Sequence, residues 1–213
     1  MAAPSSEAER QRDKERTRAD ILAVATREFA DKGYTGARVD EIAARTSTTK
    51  RMIYYYFGGK EQLYLAVLEQ AYSTIRKLEA QLDVDHLDPE EALRQLAGLT
   101  FDHHEANPDF IRLVSIENIH RAEHLAQSRI LAGLADPALG GITRILERGR
   151  ASGRFRADAD PLDIHMLISS FCVFRLANRH TFQAIFGRDM LDASRREHYR
   201  TMLGDLVIDY LTA

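Results

Sequence analysis

The 213-residue chain has no tryptophan, one cysteine, five prolines and twelve glycines. The lone Cys172 excludes an intrachain disulfide, and no second thiol is present to resolve an oxidised one. Inside an apolar stretch it reads as a buried, reduced side chain. Sparse proline and glycine leave long segments free to be helical, and no strand-like alternation of apolar and polar residues stands out. The most apolar stretch, around His165–Phe174, is too short and too polar to span a bilayer, so no membrane partner is expected. Residues 1–20 are polar and charged, without the apolar core of a secretory signal. Together these absences predict a cytoplasmic protein. Neither a glycine-rich phosphate loop nor a G-x-S-x-G nucleophile elbow occurs, which argues against an enzyme. No cofactor is implied.

Charge is present but unevenly spread. The formal net charge is −3, which argues against nonspecific coating of nucleic acid. Residues 1–60 carry 12 Lys/Arg against 9 Asp/Glu, whereas residues 61–213 carry 17 against 23. A mildly basic end on an acidic body suits a sequence-specific DNA binder with a separate second domain.

The stretch from Arg38 to Phe57 gives that end a form. Val39, Ile42 and Ala43 fall on one side of a short helix, Ser47 falls in a tight turn, and Ile53 on a second helix points back into the same core. Such a helix-turn-helix drives the N-terminal side chains of its second helix outward, toward a DNA major groove. Those side chains are Thr49, Lys50, Arg51, Tyr54 and Tyr55, a set of hydroxyls, cations and aromatic rings suited to phosphate and base contact. Lys50 and Arg51 are the strongest candidates for base edges or adjacent phosphates. Thr49 sits where a hydroxyl and helix-start N–H groups can hold phosphate. One of Tyr54 and Tyr55 is expected to reach phosphate and the other to be core; Tyr56 and Phe57 are assigned to packing.

From Gly33 to Lys60 the sequence resembles the DNA-binding domain of the TetR family of bacterial repressors. The resemblance rests on Gly33-Tyr34, Val39-x-x-Ile42-Ala43, Tyr54-x-x-Phe57 and Gly59-Lys60-Glu61-x-Leu63. It covers about the first third of the chain; the remainder fits by length and helical character. It implies a homodimer on a palindromic double-stranded DNA operator, released by a small-molecule effector bound in the second domain. It also implies that Arg38 and Lys60 clamp phosphates. The chain departs from the usual Ala-Gly-Val-Ser turn: it reads Thr46-Ser47-Thr48-Thr49. A left-handed residue there would cost Ser47 what glycine avoids, and Thr48 could cap the second helix.

The expected fold is all-α. A flexible arm covers residues 1–12, a three-helix helix-turn-helix DNA-binding domain 13–60 and a connecting helix 61–82. A helical bundle for effector binding and dimerisation, of about five helices, covers 83–213. The first helix is expected over Asp13–Lys32, ended by Gly33. Asp88-Pro89, Asn107-Pro108, Asp136-Pro137 and Asp160-Pro161 each place a capping residue before proline, as helix starts do. The last two long helices have apolar faces too wide for a monomer to bury, which predicts pairing of two copies there.

For the effector, Phe101, His104, Phe110, Val114, Glu117 and Asn118 on one side, and Met166, Ser170, Phe174 and Asn178 across the bundle, mix apolar walls with a few polar points. His103, His120, His124 and Phe182 accompany them. His120 and His124 share a helix face at zinc-ligand spacing, with Glu117 a turn earlier, yet no cysteine cluster accompanies them and no metal is assigned. A metal-responsive sensor or a ligand-free dimerisation bundle are the alternatives for this domain.

Overall fold

The computed structural model describes residues 7–212, with the side chains of residues 135–137 excepted. Residues 1–6 of the expected arm, and any capping by the Asp136 side chain, lie outside the described residues. Among the described residues there are eleven α-helices, two short 3-10 turns and no strand. They divide into two compact units: residues up to Gln70 with Arg112–Ser128, and Ala71–Ile111 with Arg129 onward.

In the first unit, α1 (Glu7–Gly36) begins within the stretch expected to be an arm and is broken at Gly33, whose φ of 68° is open to glycine but strained for other residues. The break turns the chain into α2 (Val39–Ala44) and α3 (Lys50–Phe57), the helix-turn-helix. Ile21, Ala25 and Phe29 of α1, Ile42 of α2 and Ile53 of α3 are fully buried together with Leu63, Tyr64, Val67 and Leu68 of α4 (Lys60–Ala80). The turn departs from expectation in two respects. Ser47 is not left-handed: among the described residues the only non-glycine ones with positive φ are Arg121 and Ala122; its N–H instead donates to Asp20 Oδ2 at 3.3 Å. The cap of α3 is Thr49, not Thr48: the Thr49 hydroxyl accepts from the Met52 N–H.

The second unit is built around α5 (Pro89–Ala106). Against it pack α8 (Ala135–Ala151), α9 (Pro161–Ala177) and α11 (Arg196–Thr212). Asp88 and Asp160 cap α5 and α9 as their sequence predicts, each accepting from the N–H two residues on. The core includes Leu93, Ala97, Phe101, Ile145, Leu146, Ile164, Ile168, Leu203 and Val207. On α8, Gly149 is required by a close approach, because a Cβ there would run into the Phe155 ring. Cys172 is buried, and burial pushes its thiol up to about 12, which leaves it unreactive. With α6 (Pro108–Ile119), α7 (Arg129–Ala132) and α10 (Arg179–Phe186), seven helices follow residue 83, two more than expected. Helices α7 and α10 are only four and eight residues long, too short to repeat a helical pattern by which they could be found in sequence. No helix among the described residues is long and apolar enough to cross a membrane.

Candidate nucleic-acid interface and buried polar clusters

On α3 the buried Ile53 and Phe57 turn inward, which sends Lys50, Arg51, Tyr54 and Tyr55 outward at helical spacing. Tyr54 is 45% and Tyr55 69% exposed, so neither is core, contrary to expectation. Thr49 stands exposed at the helix start and Arg38 at the start of α2. Lys50 Nζ pairs with Asp40 at 2.9 Å, which raises the lysine and lowers the aspartate from their ordinary values. Lys60 lies over the Tyr34 ring at 4.8 Å with its amine 3.4 Å from the Thr35 carbonyl, and burial lowers its pKa. All seven residues predicted to meet DNA therefore sit in the helix-turn-helix or at the start of the next helix.

The brace beneath this surface was not singled out in the sequence. Glu28 of α1 is fully buried. Its carboxylate pairs with Lys32 at 2.8 Å and Arg45 at 3.1 Å, and accepts from the Arg38 N–H at 3.4 Å. Burial acts to raise its pKa, but the lysine, the N–H and the arginine together hold it below the ordinary range. One carboxylate thus ties α1 to both ends of α2. Its signal was legible: Glu28 falls on the apolar stripe of Ile21, Ala25 and Phe29.

A second satisfied cluster closes the first unit. Glu117, at the end of α6, is buried and accepts from His124 Nδ1 at 3.2 Å and the Leu125 N–H at 3.0 Å. The His124 ring packs against Tyr34 and Tyr64, with centroids 4.3 and 4.9 Å away. Left-handed Arg121 and Ala122 turn the chain to make this possible. Glu117 therefore serves the packing of the first unit, while Val114 is half-buried and Asn118 exposed beside it. His120 is exposed and apart from this pairing. Among the described residues no group of three His, Cys, Asp or Glu side chains is placed to hold a metal ion.

The other effector candidates divide within the second unit. His104 and Phe110 come together, ring centroids 5.3 Å apart, with His103 and Tyr72 against the same phenyl ring. Phe101 lies instead under the buried Arg175 guanidinium at 4.1 Å. Met166, Ser170 and Phe174 stand exposed on α9, because Ile164, Ile168, Cys172 and Leu176 take its inner face. They do not join His104. Asn178 ends α9, its amide donating to the Phe174 carbonyl at 3.3 Å.

Around His104 the structure gathers two charged residues that were not singled out in the sequence. Arg76 and Glu79 of α4 are nearly buried and 2.6 Å apart. Yet neither Arg76 Nη1 nor Glu79 Oε2 has a hydrogen-bond partner, nor does His103 Nε2. Burial pushes the Glu79 carboxyl up to about 7, against the pull of Arg76. Burial and the Arg76 charge lower His103, His165 and His104, the last to about 4.

A helix-turn-helix unit with an exposed recognition helix, joined to an all-helical second unit, defines a DNA-binding transcriptional regulator. Residues 21–67 match the model for bacterial regulatory proteins of the tetR family, and residues 89–207 match the tetracyclin repressor-like C-terminal domain. The chain is 37% identical over 194 residues to the HTH-type transcriptional repressor NicS of Pseudomonas putida, covering 91% of this chain and 92% of that one. It is 37% identical over 108 residues to the HTH-type transcriptional repressor SCO4008 of Streptomyces coelicolor, covering 51% and 53%. Among solved structures, the Streptomyces coelicolor protein SCO4942 superposes with a TM-score of 0.67 at 28% identity, over 92% of this chain and 98% of that one. A tetR-family protein from Rhodococcus RHA1 shares the fold with a TM-score of 0.72, over 92% and 97%, at 20% identity. The chain belongs to the TetR family.

Proposed function

We propose that this regulator is a dimeric repressor that leaves a palindromic operator when a small molecule binds its second unit, and that it performs no catalysis. The observation that carries the reading is the outward face of α3, where Lys50, Arg51, Tyr54 and Tyr55 are free of the core while Glu28 braces the helices behind them. Arg51 is assigned to a base edge, where a bidentate contact to guanine is worth about 1–3 kcal/mol of discrimination. Arg38, Thr49 and Lys60 are assigned to phosphate, and Lys50 must exchange Asp40 for DNA.

Dimerisation is assigned to α9 and α11. Leu162, Met166 and Phe174 on the one, and Met202, Leu206 and Tyr210 on the other, stand 38–62% exposed at helical spacing. A groove of about 450 Å³ lined by Leu167, Phe171, Phe174, Met190, Tyr199 and Met202 lies along the same face. Two copies related by a two-fold axis would present two α3 helices to half-sites about 34–36 Å apart. An effector shifts this equilibrium only by binding the released state better than the DNA-bound one. Repression, rather than activation, follows the two relatives named as repressors.

The test is selection of fragments of the source genome by purified protein, followed by footprinting. A protected palindrome upstream of an operon is expected. Absence of selective protection at moderate salt overturns the reading.

A further inference from the structure

The Arg76 cluster is unusual in what it leaves unsatisfied. The Asn107 amide lies 3.3 Å from His103 Nδ1; when it donates there, that nitrogen is the acceptor and the proton is on Nε2. His103 Nε2 is then a buried donor with no acceptor, and Arg76 Nη1 is another. Orphaned buried donors are rare in folded proteins and ask for a partner. The surrounding surfaces are flat rings: Tyr72 meets Phe110 at 5.1 Å, and His104 meets it at 5.3 Å. Room adjoins them. Glu79, with Val84, Leu96, Ile142 and the Gly140-Gly141 pair, walls a cavity of about 310 Å³, at the lower end for small-molecule sites.

We propose that this cluster is the receptor for a small organic acid with a flat apolar body, whose carboxylate takes Arg76 and His103 while Glu79 gives up the guanidinium. The inference rests on the reading of the second unit as an effector domain and names the chemical class of its ligand. The acid's carboxylate forms the aligned hydrogen bonds that Glu79 does not. Glu79, left without its cation, takes one proton from solvent and stays in the pocket as a neutral acid, so charge balances.

The titratable and charged groups around the Arg76–Glu79 pair support this exchange. From α4 they are Arg76 and Tyr72, from α5 His103 and His104, from α9 His165, and from α8 Arg144, which pairs with Asp85 at 3.1 Å. The histidines are neutral near pH 7, because burial lowers all three. Arg76 and Arg144 are the fixed cations among them, and Arg144 already has Asp85 as its partner. Because burial already holds Glu79 near half-protonation at pH 7, neutralising it is easy there and harder as pH rises.

The test is titration calorimetry of the full chain with benzoate, phenylacetate and the uncharged benzamide, in two buffers of different ionisation enthalpy. At least tenfold preference for an acid over the amide is expected, with proton uptake and an affinity that falls up to tenfold per pH unit above about pH 7. Arg76→Gln should abolish the preference. Glu79→Gln, which frees Arg76 without removing it, should bind the acid more tightly at pH 8 and remove the proton uptake. Equal binding of benzamide, no binding of either acid, or unchanged behaviour of Glu79→Gln overturns the proposal. Operator footprinting of the same protein preparation before any acid is added separates the two readings. Protection without acid binding sinks the acid receptor alone, and acid binding without protection sinks the repressor alone.

Discussion

Glu28 in the first unit and Glu79 in the second are both withdrawn from water, and their surroundings differ. Glu28 has Lys32, Arg45 and the Arg38 N–H, and its pKa is lowered. Glu117, in the same unit, has His124 and the Leu125 N–H. Glu79 touches one cation in poor alignment, and its pKa is raised to about 7. A buried carboxylate with its acceptors filled fixes a geometry; one left half-satisfied holds a site open at a cost in stability. The first unit must present α3 in one orientation, and its buried charges are arranged to do so. On the proposal above the second accepts a guest, and its charges are left open for one.

Removing a satisfied carboxylate is therefore expected to cost the most. Glu117→Ala strands His124 and the Leu125 N–H away from water, and should lower unfolding free energy by about 2–4 kcal/mol in urea titration. A loss below about 0.5 kcal/mol would mean the cluster is not a brace.

Glu79→Gln should have the opposite sign. The group's folded pKa lies above its unfolded value near 4.5, so its contribution is complete below pH 4.5 and is lost as pH rises through about 7. The amide, which mimics the neutral acid, should stabilise the protein by about 1–2 kcal/mol at pH 8 and by little at pH 5. Destabilisation at pH 8 would place Glu79 with Glu28 rather than against it.

Glu28→Gln sharpens the contrast from the other side. Lys32 and Arg45 can turn to water, so the expected loss is about 1–2 kcal/mol. Its sign with pH is reversed: the folded pKa is depressed, so stability present above the unfolded value is lost as pH falls through the folded one. The difference between wild type and Glu28→Gln should therefore shrink in acid, measured by thermal unfolding between pH 7 and pH 3. The smallest effect is expected at Ala122→Gly, where relief of a left-handed alanine should add about 1 kcal/mol.

The sequence made the candidate DNA-reading surface legible because a helix-turn-helix fixes spacing: Val39, Ile42 and Ile53 had to be buried, and Lys50 and Arg51 had then to face out. The bundle was less legible. Helical starts at Asp88 and Asp160 could be read from their caps, but α9 is apolar on all sides, so its periodicity did not say which of Ile168 and Ser170 faces inward. Glu117 looked like a pocket residue because its partners, His124 and Leu125, come from a turn made by two left-handed residues that no glycine announced. Arg76 and Glu79 did carry a signal: Glu79 continues the stripe of Leu68, Tyr72 and Ile75. A charge on an apolar stripe marked both the brace at Glu28 and the open site at Glu79, and only the neighbours, supplied by tertiary packing, tell the two apart.

The most direct test of the account is to repeat the genome-fragment selection with Arg51→Ala and Lys60→Ala beside the wild type. If α3 reads bases from a braced scaffold, Arg51→Ala relaxes the selected sequence at matching positions of both half-sites. Lys60→Ala keeps the same sequence, binds all sites more weakly and lowers the salt slope by about one. An unchanged selected sequence for Arg51→Ala would contradict the claim that this helix carries the specificity.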